Sequence, residues 1–331
     1  MNELTYYLPG GAGLNIGSAL KQKSRSQANR DAVYVGLDSS NANDVAGLFP
    51  VEHMPAAEGN KLARGSGKVK ATNIAKAEPF VEEVLTKYKP SSFNIVVCSA
   101  AGGTGSVLGV LLVRRLIELN KPVVILTVSD HTSQKEMENS VGTLRSLASQ
   151  TEADQLNAPI AFINVINDNN HTRGEINANI IHKLDLLSMF LTEQNEEVDY
   201  EDIANMLMYS RTSKTTKVPP ALSEINFYDE KSARAYTGKP PVAFCSLFGS
   251  RDAVVPLFEG AVYRATGVYN PNFNRPGDVQ EMHMTLDHGE ALERLKESME
   301  TLQDRRVTTN NKFTETESVS QGANSKGMFL D

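Results

Sequence analysis

Tryptophan is absent from this 331-residue chain, cysteine occurs only twice, and no apolar run approaches the roughly 20 residues that a membrane-spanning helix requires. Cys98 and Cys245 close strand-like apolar runs, Asn94-Ile95-Val96-Val97-Cys98 and Val242-Ala243-Phe244-Cys245. In such runs a buried, reduced thiol is the usual state, so neither residue suggests a metal site. The opening Met1-Asn2-Glu3-Leu4 lacks both the basic region and the apolar core of an export signal, which points to the cytoplasm. Positive charge is also in deficit: Lys and Arg total 33 against 40 Asp and Glu, a formal charge of −7. That balance argues against generic electrostatic binding to nucleic acid, which depends on basic surface to displace counterions. No internal repeat is present. What remains is an ordinary globular composition, with 40% hydrophobic and 22% charged residues, long enough for two packed domains or one large one.

The first two thirds alternate β-rich runs with helical patterns, the signature of a mostly parallel sheet covered by helices. The strand candidates are Thr5 to Leu8, Ala32 to Leu37, Phe93 to Cys98, Pro122 to Val128 and Ile160 to Ile166. Between them lie helix candidates at Leu14 to Lys23, Ala75 to Tyr88, Ser106 to Leu119 and Ser133 to Ser149. From Gly174 to Gln194, apolar residues at Ile176, Ile180, Ile181, Leu184, Leu187 and Leu191 keep a helical spacing, which predicts a long central helix. The Lys- and Pro-rich stretch Ser213 to Pro220 reads as a boundary, because consecutive prolines cannot continue regular structure. Beyond it, strand-like runs at Val242 to Leu247, Ala261 to Tyr269 and Glu281 to Leu286 precede a helix with Leu292, Leu295, Met299 and Leu302 on one face. The expected organisation is a first α/β domain over 1–173, a central helix and acidic loop over 174–212, an α+β domain over 213–305, and a flexible tail over 306–331.

Chemistry concentrates at strand-to-helix junctions. Ser99-Ala100-Ala101-Gly102-Gly103-Thr104-Gly105-Ser106 follows a strand and precedes a helix. Its three glycines let backbone N–H groups approach an anion, the helix presents its positive dipole end, and Thr104 and Ser106 add hydroxyl donors. Gly10-Gly11-Ala12-Gly13-Leu14-Asn15 occupies the equivalent place after the first strand. It fits a dinucleotide fingerprint poorly, since the glycines after Gly11 are Gly13 and Gly17 and the third is displaced by one. Gly65-Ser66-Gly67-Lys68 is not a Walker A loop, because Val69 stands where Ser or Thr is required. Asp38, ending the second strand, has three readings: a ribose ligand, a group ordering water near a nucleotide, or a cap of the turn through Ser39 and Ser40. Asn167 and Asn179 carry carboxamides able to pair with a base edge. Glu197-Val198-Asp199-Tyr200-Glu201-Asp202 is an acidic run after the long helix, which is what a solvated helix start looks like.

Taken in order, these loops resemble the tubulin/FtsZ superfamily over roughly residues 4 to 305, and within it the spindle tubulins of large bacteriophages. The Gly-Gly-Thr-Gly-Ser core at 102–106 is complete, and Gly10 to Asn15 is similar to the family's first nucleotide loop. The resemblance implies an α/β fold: a Rossmann-like GTP-binding domain with a parallel sheet, a long central helix and a smaller α+β C-terminal domain. It further implies a GTPase that uses Mg²⁺ and cycles between GTP and GDP. Nucleotide contacts would come from Gly10, Gly11, Ala12, Gly13, Asn15, Asp38, Gly65, Ser66, Gly67, Ala101, Gly102, Gly103, Thr104, Gly105, Ser106, Asn167 and Asn179. Asp199 and Asp202 would reach the neighbouring subunit's nucleotide and orient the attacking water; no protein metal ligand is assigned. Where FtsZ carries an Asn two residues before the first acid, this chain has Glu197. The implied partner is the protein itself, head to tail in a multi-stranded filament, with phage nucleoprotein as cargo. Neither membrane binding nor direct sequence-specific nucleic-acid binding is implied. The implied setting is the cytoplasm of the infected host, where the filament positions phage DNA. Other readings are a partitioning tubulin working through a DNA-bound adaptor, a non-hydrolysing scaffold, and an NAD-dependent Rossmann enzyme.

Overall fold

The computed structural model describes residues 3–45, 47–55, 74–152, 154–192, 198–212, 218–248, 260–268, 279–287 and 289–301. In chain order the elements are β1 (Leu4–Pro9), α1 (Gly10–Lys23), α2 (Gln27–Asp31), β2 (Val33–Asp38), a 3-10 turn (Asn41–Asn43), β3 (Val51–His53) and α3 (Ile74–Lys87). They continue as β4 (Phe93–Ser99), α4 (Thr104–Glu118), β5 (Val123–Asp130), α5 (Gln134–Gln150), β6 (Ile160–Asn167) and α6 (Arg173–Thr192). After α6 come α7 (Tyr200–Leu207), α8 (Tyr209–Thr212), β7 (Leu222–Asp229), α9 (Glu230–Arg234), β8 (Ala243–Phe248), β9 (Tyr263–Val268) and β10 (Val279–Leu286). A last helix, α10, spans 290–301.

The ten strands among the described residues form one sheet in the order β3-β2-β1-β4-β5-β6-β7-β10-β8-β9. Every pairing is parallel except those of β10, which runs antiparallel to both β7 and β8. Along β1 and β4 both faces are apolar: Tyr6, Leu8, Ile95 and Val97 belong to one core layer, Tyr7, Val96 and Cys98 to the other. This is why these strands read as continuous apolar runs, since a parallel sheet is covered by helices on both faces. One layer is filled by α1, α6 and α7, the other by α3, α4, α5 and α10.

The central helix is buried on its regular stripe at Ile176, Ile180, Leu184 and Leu187, and at every position from Leu187 to Leu191. Its C-terminal half is therefore enclosed on all sides. Both cysteines are buried and neither is in a disulfide. Two features differ from the sequence expectations. Helix α1 starts at Gly10, four residues ahead of the anticipated Leu14, so the glycines form its first turn instead of a preceding loop. Strand β7 was not anticipated; it bridges the two halves of the sheet by pairing with β6 on one side and β10 on the other.

Candidate functional site

In an open α/β sheet, ligands bind outside the carboxyl ends of the strands where the strand order reverses. Here the reversal falls between β1, whose next strand lies to one side, and β4, which lies to the other. The two glycine-rich segments emerge from those two strands and touch. A Cβ at Gly10 would stand 2.9 Å from both Cα and N of Gly105, and Gly10 has φ +78°, a conformation that only glycine adopts freely. A Cβ at Gly105 would in turn lie 2.7 Å from the Pro9 carbonyl oxygen. Backbone contact at this distance leaves no room for side chains.

Both helices that start here lack a side-chain N-cap: α1 follows Pro9 and α4 follows Gly103. By contrast α5 is capped by Ser133, whose Oγ accepts from Glu136 N and donates to the Glu136 carboxylate. An uncapped helix start presents N–H donors and a positive dipole end to whatever anion occupies the space in front of it. The 99–103 loop is held from behind instead. Asn139 Nδ2 donates to Ala101 O at 3.0 Å and Thr143 Oγ1 to Ala100 O at 2.7 Å, both from α5, while Ser106 Oγ donates to Gly102 O at 2.5 Å. These tethers use the loop's carbonyls, while of its N–H groups Ala100 N donates to Val128 O at 2.9 Å and Ala101 N to Ser99 Oγ at 3.2 Å.

Beside the turns, Ser39 Oγ and Thr104 Oγ1 are 2.7 Å apart, joining the β2 end to the α4 start. Asp38 is buried and accepts from Ser39 N at 2.7 Å and from Asn43 Nδ2 at 3.1 Å. Asn43 packs against Gly11, where a Cβ would come within 2.7 Å of its amide nitrogen. Burial pushes the Asp38 carboxyl above its ordinary range, opposed by the hydrogen bonds from Asn43, Ser39 and Ser40 and by His53.

Between α1 and α6 lies a cavity of about 450 Å³ lined by Ala12, Asn15, Ile16, Val128, Asn167, Arg173, Ile176, Asn177 and Ile180. This volume lies within the ~300–1,000 Å³ of small-molecule sites. Of the sequence candidates, Ala12, Asn15 and Asn167 line it directly. Asn167 Nδ2 donates to Asp130 Oδ2 at 2.7 Å, which fixes its carboxamide. Asn179 does not line the cavity; it is solvent-exposed. At 100° per residue Asn177 and Asn179 differ by about 200° around α6, so only one can face inward, and that one is Asn177. Arg173, also on the wall, brings a positive charge that the sequence reading did not single out. Gly65, Ser66 and Gly67 lie outside the described residues, as does Glu197.

The acidic pair is elsewhere. Asp199 is the N-cap of α7: its Oδ1 accepts from Glu201 N at 2.8 Å and Asp202 N at 3.1 Å, and Asp202 Oδ2 accepts in return from Asp199 N at 3.1 Å. The other Asp202 oxygen accepts from the Tyr263 hydroxyl at 2.8 Å. The next residue, Tyr200, packs its ring on Phe93, with centroids 5.1 Å apart. Phe93 opens β4, whereas the glycine turn follows Ser99 at its far end. Seven extended residues cover about 20 Å, so α7 begins at the amino edge of the sheet while the cavity opens at the carboxyl edge. The 20-residue helix α6, about 30 Å long, connects the two.

No protein-family model matches the chain. It is 26% identical over 262 residues to a phage tubulin-like protein of Pseudomonas phage PhiPA3, covering 79% of this chain and 78% of that protein. The fold superimposes on the protofilament of TubZ from bacteriophage PhiKZ with a TM-score of 0.77 at 22% identity, covering 99% of this chain and 95% of the other. The chain is similar in sequence to phage tubulin-like proteins and shares the tubulin/FtsZ-like fold. The phage tubulin PhuZ with GDP gives a TM-score of 0.77 at 19% identity over 92% of each chain. The mostly parallel sheet, flanked by helices and crossed by α6, is the tubulin/FtsZ-like α/β fold.

Proposed function

We propose that this protein is a phage GTPase that assembles head to tail into filaments and hydrolyses GTP between subunits. The observation that carries this reading is the separation of the acids from the cavity: Tyr200 sits against Phe93 at one edge of the sheet, and the glycine turns meet at the other. One chain cannot apply Asp199 or Asp202 to its own nucleotide, but a second copy stacked edge to edge can. Two relatives are consistent with this, one described as a protofilament and one as holding GDP.

In this mechanism the phosphates rest on the N–H groups at the starts of α1 and α4, and Asn15, Asn167 and Asn177 face the remainder of the nucleotide from the cavity wall. Asn177 takes the place first assigned to Asn179. Asp199 and Asp202 of the adjoining subunit orient water toward the γ-phosphorus. The new P–O bond forms as the bond to the bridging oxygen breaks, and the water's proton leaves toward carboxylate. Positioning and electrostatics supply most of such catalysis. The donor set near the turns suits Mg²⁺: among the described residues Asp38 is a buried carboxylate there, with the Ser39 and Thr104 hydroxyls beside it. Among the described residues no cluster of three or more His, Cys, Asp or Glu could hold a metal. Mg²⁺ commonly binds through one or two carboxylates together with substrate phosphates, and when bound it neutralises phosphate charge. The filament's task in this reading is to position phage DNA within the infected cell. Replacing Asp202 by Ala should leave GTP binding and polymerisation intact while abolishing turnover; a mutant that hydrolyses GTP at the original rate would refute the shared site.

A further inference from the structure

Both acids at the start of α7 accept hydrogen bonds from the first turn of their own helix, yet the two are not held alike. Asp199 is fixed by the helix it caps. Asp202 is gripped from two sides: one oxygen by Asp199 N, the other by the Tyr263 hydroxyl at 2.8 Å. Tyr263 reaches it from β9, a strand 61 residues away in sequence and at the edge of the sheet. Its ring packs against the apolar core, and the backbone N of Val262 donates to Val242 O at 2.7 Å, which ties this end of β9 to its neighbour. Burial and the bond to Asp202 raise the Tyr263 pKa, so near neutral pH the hydroxyl keeps its proton and acts as a donor.

From this geometry we infer that Tyr263 is a positioning residue for GTP hydrolysis, setting the orientation in which Asp202 is presented to the next subunit's nucleotide. The inference rests on the shared-site reading above. A carboxylate held through both oxygens keeps one rotamer without outside help, and that order is in place before a neighbour docks. With the hydroxyl removed, the Asp202 carboxylate retains only the Asp199 N–H and can rotate about its Cβ–Cγ bond. Misplacement of a catalytic group by about 1 Å can cost on the order of 10²-fold in rate.

The test compares Tyr263→Phe with Asp202→Asn in full-length protein, reading phosphate release per polymerised subunit alongside pelleting, with GTP and Mg²⁺ at several GTP concentrations. The phenylalanine keeps the ring in the core, so folding and assembly should persist. The expected result is a fall of about tenfold or more in the saturating rate for Tyr263→Phe, with the half-saturating GTP concentration and the critical concentration unchanged. If Tyr263→Phe turns over normally while Asp202→Asn is inactive, the positioning role is wrong and the shared site stands. A raised critical concentration without loss of the saturating rate would make Tyr263 an interface or folding residue and overturn the inference. Full turnover in Asp202→Asn would remove the shared-site reading, and the inference with it.

Discussion

Placing alanine at Gly10 tests the claim that the two glycine turns form one surface. Two costs combine at this position. The first is conformational: Gly10 holds φ +78°, and an L-residue in that region costs about 1 kcal/mol. The second is steric: the new Cβ would lie 2.9 Å from Gly105 Cα and N, backbone atoms that can yield only if α4 and α1 separate. Overpacking of this kind typically costs about 1–3 kcal/mol. Gly47 supplies the control, because its φ is +72° but a Cβ there would meet nothing within 4 Å. The expected destabilisation is therefore about 1 kcal/mol for Gly47→Ala and about 2–4 kcal/mol for Gly10→Ala. Urea unfolding of nucleotide-free monomers measures both, and titration with a fluorescent guanine nucleotide reads the site. Gly10→Ala should weaken nucleotide binding by at least tenfold, Gly47→Ala not measurably. Equal stability losses, or unchanged nucleotide affinity in Gly10→Ala, would refute the argument that backbone contact between the turns builds the site.

The register on α6 is testable by paired substitutions: Asn177→Ala should lower nucleotide affinity and Asn179→Ala should not, as judged by the same titration; the opposite ranking would return Asn179 to the site. Removing the Asn139 side chain orphans the buried Ala101 carbonyl, a loss of about 1–3 kcal/mol, and Asn139→Ala should release nucleotide faster in stopped-flow displacement. The Asp38 pKa is raised by folding, so the folded apo protein holds the proton more tightly than the unfolded chain. Stability from this group therefore falls as pH rises from the ordinary aspartate range through the raised value, and Asp38→Asn should flatten that part of the stability–pH curve. An unchanged slope in the mutant would mean that Asp38 is not strained by burial.

Much of the fold was legible because buried parallel strands announce themselves. β1, β2, β4, β5 and β6 were each anticipated to within two residues, and so was the long stripe of α6. β7 escaped because Leu222-Ser223-Glu224-Ile225-Asn226-Phe227-Tyr228-Asp229 has no strict alternation and follows two prolines, while the three residues of β3 are too few to show a period. The start of α1 was missed because three glycines read as a loop; only the packing of Gly10 on Gly105 and of Gly13 on Leu8 and Val97 explains why a helix begins there. The glycine turns themselves were visible as strand–glycine–helix junctions. The tethers from Asn139 and Thr143 were not, since they bind backbone carbonyls 38 and 43 positions away. Asn177 and Asn179 stand two positions apart on α6, and only the helix geometry puts Asn177 on the cavity wall. Tyr263 had no local signal: its partner lies on a different element, and one tyrosine in an edge strand looks like any other.

The central claim is that a complete hydrolytic site exists only between subunits. Phosphate release and 90° light scattering, followed together after adding GTP and Mg²⁺ across a series of protein concentrations, test it most directly. The expected result is negligible turnover per subunit below a critical concentration and a rise above it that tracks polymer mass. Turnover per subunit that is the same at every concentration, including those without scattering, would place a working site within one chain and contradict the account.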